Sequence, residues 1–124
     1  MKYCTAITCM DGRIQIPVIN YLKERFDVEF VDIISEAGPN AILAKQDNPV
    51  LIESILSRLK ISVELHKSVG FAIVGHFDCA GNPTPQEEQA NHTRIAIEFI
   101  KKYYHHGNIV GLWVDKQSKV IELI

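Results

Sequence analysis

Short apolar segments alternate with amphipathic segments along the 124-residue chain. Segments rich in β-branched and aromatic residues predict strands at residues 3–8, 28–34, 69–74 and 108–114, and residues 120–124 predict a short edge strand. Apolar positions three or four residues apart predict helices over residues 17–26, from residue 49, and from residue 84 to Gly107. This alternation predicts a three-layer α/β/α fold with a mainly parallel sheet of four or five strands.

Composition and charge narrow the class of protein. The length suits one domain over residues 1–124, and a hydrophobic content of 47% is enough for a core of that size. Thirteen basic and fifteen acidic residues give a formal charge of −2, which provides no field for binding nucleic acid or an anionic membrane. The N-terminal segment has no apolar run long enough for a signal peptide or a membrane span, so we expect a cytoplasmic protein.

Polar residues outside the candidate site receive ordinary structural assignments. Thr84 and Glu87 have the spacing of a capping box at the start of the third predicted helix, with Pro85 at its first position. Cys4 lies inside the first predicted strand, where a free cysteine packs as a small hydrophobic residue. We expect His92 on a solvated helix face.

Three potential metal ligands follow two of the predicted strands. The chain has three cysteines, and in a reducing compartment cysteines that do more than pack tend to bind metal or do chemistry. Cys9 comes after the first strand, and His76 and Cys79 follow the third. If these strands are neighbours in a parallel sheet, their carboxyl ends lie at one edge, where such sheets bind ligands. Zinc takes thiolate sulfur and imidazole nitrogen, and a catalytic zinc keeps three protein ligands and one open position, so these residues predict a zinc site.

A charged pair, Asp11 and Arg13, stands beside the first of these cysteines. Asp11 could either take the fourth position on the metal or accept a hydrogen bond from a water bound there. Arg13 is placed to hold that carboxylate through paired hydrogen bonds and to keep it ionised. Asp78, next to Cys79, is either a hydrogen-bond partner of the metal ligands or a solvated loop residue. Each of these residues is common in a structural role, and it is their combination at one sheet edge that favours a metal site.

Two motifs in this chain resemble the signature of the β-class carbonic anhydrases. That family carries Cys-x-Asp-Ser-Arg after its first strand and Gly-His-x-x-Cys-Gly after its third. This chain reads Cys-Met-Asp-Gly-Arg at residues 9–13 and Gly-His-Phe-Asp-Cys-Ala-Gly at residues 75–81. The resemblance spans most of the chain and implies the family's fold, with zinc held by the three ligands predicted above. It also implies that Asp11 and Arg13 are the family's dyad, which gates and orients the bound water.

The chain departs from that family at two positions near the expected site. Gly12 stands where the family has serine, which removes a hydroxyl from the mouth of the site. Residues 35–40 read Ser-Glu-Ala-Gly-Pro-Asn where the family usually has Arg-Asn-Ala-Gly-Asn. Glu36 therefore adds an acid to the cleft where a base is lost.

Three classes of function follow from these residues and the resemblance. The resemblance implies a zinc lyase that hydrates carbon dioxide reversibly to bicarbonate by zinc-bound hydroxide, with hydrolysis of carbonyl sulfide or carbon disulfide as a related activity. The second class is a non-catalytic zinc-binding domain that acts through a partner, and the third is a redox-sensing thiol pair of Cys9 and Cys79. We expect a homodimer or a larger assembly, because the apolar segments at residues 109–114 and 120–124 exceed what three helices can easily cover.

Overall fold

The computed structural model describes residues 1–105 and 108–124 of the chain. Its strands are β1 (Tyr3–Cys9), β2 (Phe30–Glu36), β3 (Gly70–His76), β4 (Asn108–Val114) and β5 (Val120–Glu122). Its helices are α1 (Gln15–Arg25), α2 (Pro39–Lys45), α3 (Pro49–Lys60) and α4 (Gln86–Lys101), and a π-helical segment (Ile61–Leu65) extends α3.

The strands form one sheet in the order β2-β1-β3-β4-β5. β1 pairs in parallel with β2 and β3, β3 pairs in parallel with β4, and β5 runs antiparallel to β4. The predicted α/β class with a mainly parallel sheet is therefore confirmed, and the first and third strands are neighbours. Cys9 and His76, the last residues of those strands, lie at the same edge of the sheet.

Apolar cores on both faces of the sheet give the fold its three layers. On one face, Val18 and Leu22 of α1 join a cluster with side chains of β1, β3 and β4. On the other face, Ile55 and Leu59 of α3 join a cluster that includes Ile73 of β3 and residues of α2 and α4. All five side chains are fully buried, and burying one of that size stabilises the fold by about 1.5–3 kcal/mol.

Local residues determine where the helices after β2 begin. α2, which the sequence pattern does not predict, starts after Gly38 with Pro39 in its first turn, and its seven residues are too few for a clear period. Gly38 has a φ of +64°, a backbone conformation that favours glycine. α3 starts after Asn48, whose side chain accepts a 3.2 Å hydrogen bond from the backbone N–H of Leu51.

The start and the end of α4 differ from the sequence prediction. Pro85 is the residue before the helix, and it offers no side-chain cap. The predicted capping box is wrong, because the Thr84 hydroxyl donates to the side-chain oxygen of Asn82 at 3.0 Å instead of capping the helix. The helix ends at Lys101. The predicted end at Gly107 lies outside the described residues.

A hydroxyl cluster joins the π-helical segment to β1 and β2, away from the metal-ligand edge of the sheet. The buried hydroxyls of Thr5, Ser62 and Ser68 lie 2.6–3.1 Å from one another. The carboxylate of Asp32 accepts from Ser62 at 2.6 Å and faces the His66 ring nitrogen Nδ1 at 2.6 Å. Because each buried hydroxyl has partners, the cluster anchors this segment without unpaired polar groups.

The sheet has open edges at β2 and β5, not at β4. β5 covers β4 and is tied to α1, where Glu122 accepts hydrogen bonds from Tyr21 and Arg25 at 2.9 Å each. The apolar strand of residues 108–114 is therefore internal. Phe30 and Ile33 on the edge strand β2 are exposed, as is Ile124 after β5. None of the helices in the described ranges is both long and apolar enough to cross a membrane.

Candidate metal centre

Three side chains from two adjacent strand ends meet at one point. The Sγ atoms of Cys9 and Cys79 lie 3.9 Å apart, and every ligand atom of Cys9, Cys79 and His76 lies within 4.8 Å of the others. Two thiolates bound at about 2.3 Å to one tetrahedral zinc are separated by about 3.8 Å. The observed spacing therefore suits a shared ion, and these three residues could hold a metal.

The ring of His76 supplies an independent argument for a missing ligand. Its exposure is 0%, and apart from the thiol group of Cys9 neither Nδ1 nor Nε2 has a hydrogen-bond partner among the described residues. Leaving a buried polar group unpaired costs about 1–3 kcal/mol. A metal ion bound by one ring nitrogen would remove much of that cost, so the residues present fit a zinc ion.

Hydrogen bonds prepare the sulfur of Cys9 to carry negative charge. A hydrogen bond from the Cys79 thiol lowers the pKa of Cys9, and the same contact raises the pKa of Cys79. The backbone N–H groups of Gly38 and Asp11 also donate to Cys9, and those of Asn82 and Gly81 donate to Cys79. Because the thiolate is the form that binds metal, Cys9 is already favoured as a ligand, whereas Cys79, whose pKa is raised overall, would release its proton when a metal binds.

The loops that provide these donors are in direct backbone contact. A Cβ atom on Gly81 would lie 2.4 Å from the carbonyl carbon of Ala37, and one on Gly38 would lie 2.6 Å from that of Gly81. Only glycine fits at both positions, because the obstructing atoms belong to the backbone and cannot rotate away. The two glycines therefore set how closely the loop after β2 approaches the loop after β3.

Asp11 and Arg13 form the paired contact that their spacing suggests. The guanidinium donates to the carboxylate from Nη2 at 2.7 Å and from Nε at 3.0 Å, and the backbone N–H of Arg13 donates at 2.9 Å. These bonds hold the pKa of Asp11 well below its usual range. The other side of the guanidinium donates to the carbonyl oxygen of Asp78 at 3.2 Å and lies 4.6 Å from the centre of the Phe77 ring. Arg13 thus joins the Asp11 carboxylate to the loop between His76 and Cys79.

Asp78 is an exposed residue of the loop between His76 and Cys79, and Asp11 lies outside the group of ligand atoms. Asp78 is a partner of Arg13, with a further contact of 3.4 Å between its carboxylate and Nη1. The group of ligand atoms that lie within 4.8 Å of one another consists of the two cysteines and His76, without Asp11. In this arrangement the carboxylate of Asp11 is held beside the ligands by Arg13.

The acid that the sequence introduces near the cleft has a cationic partner that sequence reasoning missed. Glu36, the last residue of β2, forms an ion pair with Arg58 of α3. Arg58 also donates from Nε to the backbone carbonyl of Ser54, which fixes its direction. Glu36 and Arg58 are 22 positions apart on different elements, and no local pattern signals their contact.

A buried group of amide side chains behind the metal ligands was also missed. Gln89 and Thr93 lie on the same stripe of α4 as the core residue Ala96, and both are buried. The sequence signal for this buried polar group was the presence of two polar residues on the apolar stripe of α4. His92, expected on a solvated face, is half-buried, and its Nδ1 lies 3.0 Å from the side-chain amide nitrogen of Asn82.

Comparison with known proteins gives a family and a fold. The model of a family described as "Putative carbonic anhydrase" matches residues 1–124. A search of curated proteins finds no match. Among solved structures, a carbonic anhydrase from Streptococcus mutans shares 18% identity with a TM-score of 0.66, over 98% of this chain and 81% of that one. A carbonic anhydrase from Glaciozyma antarctica shares 15% identity with a TM-score of 0.65, over the same 98% and 81%.

A third structure is described as one of two tetrameric β-carbonic anhydrases from Sordaria macrospora. It shares 11% identity with a TM-score of 0.57, over 98% of this chain and 80% of that one. At these identities the structural matches show a common fold.

Proposed function

We propose, on the premise that this chain belongs to the carbonic anhydrase family whose model spans it, that it is a zinc lyase. The reaction proposed is the reversible hydration of carbon dioxide to bicarbonate. The observation that carries the proposal is the buried Cys9, His76 and Cys79 group, with a sulfur separation suited to one ion and an imidazole that has no other partner.

The three ligands would hold zinc and leave one coordination position for a small molecule. A bound zinc ion acts as a Lewis acid and makes hydroxide available near neutral pH. Cys9 is favoured in its anionic form, and two thiolate ligands would moderate the positive charge of the ion. All three ligands are buried, each at 4% exposure or less, which shields the metal–ligand bonds from bulk water.

In this proposal Asp11 orients the reacting water. Its carboxylate is ionised at neutral pH, and Arg13 holds its pKa below the ordinary value, so it can accept a hydrogen bond but cannot donate one. A water that donates to Asp11 turns a lone pair toward the substrate carbon. Arg13 keeps the carboxylate in place through its contacts with Phe77 and Asp78.

The other elements of the proposal concern charge, assembly and location. Arg58 compensates the charge of Glu36, so the acid beside the cleft does not act as an unpaired anion toward bicarbonate.

The exposed apolar residues Phe30 and Ile33 on the open edge of β2 favour a homodimer or larger assembly, and a fungal structural neighbour is described as tetrameric. We propose a cytoplasmic protein that acts on carbon dioxide and bicarbonate, with no nucleic-acid or membrane partner.

The test measures zinc content and carbon dioxide hydration on the same sample. We expect about one zinc per chain by elemental analysis, and stopped-flow hydration that increases between about pH 7 and pH 9. Cys79→Ser should lose most of the zinc, because a neutral hydroxyl replaces a thiolate. Cys4→Ser is the matched control, since Cys4 is a buried cysteine of β1 outside the ligand group, and it should retain its zinc.

Each outcome separates two functions. Zinc with hydration supports the lyase. Zinc without hydration at any pH would contradict the lyase and favour the non-catalytic zinc-binding domain. No zinc after anaerobic purification, with no uptake of added zinc, would contradict the metal site itself.

A further inference from the structure

Gln89 of α4 is 1% exposed and pairs with the backbone of the metal ligand His76. Its side-chain oxygen accepts from the His76 N–H at 3.2 Å, and its amide nitrogen donates to the His76 carbonyl at 2.8 Å. The pairing of β1 with β3 ends at Ile7 and Ile73, so β1 provides no ladder partner for His76. Gln89 takes the place of that missing strand and satisfies both backbone groups of the ligand residue.

The same amide also holds the far end of the loop that carries Cys79. Its nitrogen lies 3.2 Å from the carbonyl oxygen of Asn82 and 3.3 Å from that of Thr84. One side chain therefore contacts the chain at residue 76, before Cys79, and again at residues 82 and 84, after it. The separation between the ligands His76 and Cys79 depends on a loop that Gln89 closes.

Backbone groups fix the direction of every amide in this network. The backbone N–H of Ala41 must donate to the Asn40 side-chain oxygen, at 2.9 Å, so the Asn40 nitrogen faces Gln89 and Thr93 at 3.3 Å each. That nitrogen donates to the same Gln89 oxygen that accepts from His76. Asn82 in turn donates to the Asn40 oxygen at 3.1 Å. A flipped Gln89 would bring its NH₂ group against two donors and its oxygen against three carbonyls, so one orientation is imposed.

Gly75 gives this network its space. A Cβ atom at that position would lie 2.8 Å from the Asn40 nitrogen and 2.8 Å from the Gln89 oxygen. The absence of a side chain beside the ligand residue therefore lets the amides reach the backbone. Gly75, which precedes the ligand His76, therefore leaves the space that the Gln89 side chain of α4 occupies.

We infer that Gln89 is a positioning residue that sets the location of His76 relative to Cys79, and through it the affinity and geometry of the metal site. The inference deepens the proposed function and rests on its metal site, not on carbon dioxide hydration. In the folded protein, removing the Gln89 amide should weaken metal binding and change the coordination geometry. The ligand loop would lose the acceptor for the His76 N–H and the NH₂ group whose two hydrogens serve three of its carbonyl oxygens.

The experiment compares Gln89→Met with Gln86→Met, three residues earlier on the exposed side of α4. Methionine has nearly the length and volume of glutamine but lacks the amide. Zinc affinity is measured by competition with a chromophoric chelator, and the Co²⁺-loaded protein is measured by its visible absorption bands, which report coordination geometry. Circular dichroism first establishes that each variant is folded at the temperature used.

We expect folded Gln89→Met to bind zinc at least tenfold more weakly, with altered Co²⁺ bands, and Gln86→Met to match the unmodified protein. Folded Gln89→Met with unchanged zinc affinity and Co²⁺ bands would overturn the inference. If Gln89→Met does not fold, Gln89→Glu, which keeps an acceptor for His76 but loses the donor, is judged by the same two readouts. Failure of both variants to fold would assign Gln89 to folding and also overturn the inference. Failure of the unmodified protein to bind zinc would instead contradict the proposed function.

Discussion

Replacing Gly81 by alanine should weaken zinc binding and lower the melting temperature, because the two ligand loops would have to move apart. The added Cβ would lie 2.4 Å from the carbonyl carbon of Ala37, whereas ordinary contacts of a Cβ begin at 3.4 Å. The loops must therefore separate by about 1 Å, and overpacking of this kind costs about 1–3 kcal/mol. At about 4 °C per kcal/mol for a chain of this size, the melting temperature should fall by about 4–12 °C.

The effect on zinc follows from the same displacement. The loop of Gly38 donates to Cys9 and the loop of Gly81 donates to Cys79, so separating the loops moves the two sulfurs beyond their 3.9 Å spacing. To bring the two sulfurs back to the spacing that one zinc ion needs, zinc binding must then restore the strained contact between the two loops. If about 1.4 kcal/mol of the strain opposes binding, the affinity falls about tenfold.

Gly12→Ala is the matched control, because a Cβ at Gly12 meets no atom within 4 Å. Melting of the metal-free variants is followed by circular dichroism, and zinc affinity by chelator competition. Gly12→Ala should match the unmodified protein in both measurements. A Gly81→Ala protein with unchanged melting temperature and unchanged zinc affinity would refute the argument that backbone contact between these loops sets the sulfur spacing.

Three further predictions test other contacts. Arg13→Ala should leave the zinc-to-protein ratio unchanged while hydration falls, since Arg13 orients Asp11 but does not belong to the ligand group; equal losses of zinc and activity would contradict this. Arg25 lowers the pKa of Glu122 in the folded protein. The stability that this ion pair contributes is therefore complete above about pH 4.3, the ordinary glutamate pKa, and is lost as the pH falls through the lower pKa of the folded protein. Acid titration of the unfolding free energy should therefore be less steep for Glu122→Gln, and identical curves would argue against the contact. Asp32→Asn should cost about 1–3 kcal/mol in urea unfolding, because it removes a charged acceptor from the hydroxyl cluster; a change below 0.5 kcal/mol on the same scale would contradict its anchoring role.

The strands and the long helices could be predicted from the sequence because each has its own periodic pattern. The predicted strand of residues 3–8 becomes β1, and the stripe that includes Ile55 and Leu59 becomes α3. α2 could not be predicted in this way, because its start depends on the backbone conformation at Gly38 and its seven residues carry little period. The capping box at Thr84 failed because its hydroxyl found another acceptor in Asn82, a contact that local spacing does not reveal.

The candidate site, like the fold, could be predicted from the sequence only in part. The ligand types and their association with strand ends were visible at Cys9 and His76, because parallel strands bring such ends to one sheet edge. The Arg58 partner of Glu36 and the role of Gln89 were not visible, since both contacts join elements distant in the sequence.

The sequence by itself determined the strands, the long helices and the side chains that can bind a metal, since these are local properties of residue type and spacing. Only the tertiary structure decided how close those ligands come to one another. The sulfurs of Cys9 and Cys79 lie 3.9 Å apart where the backbones of two loops meet at Gly81, and the amide of Gln89 contacts the backbone of His76. Such spacing is a product of packing among residues far apart in the chain, which fixes atoms to fractions of an ångström and leaves no periodic trace in the sequence.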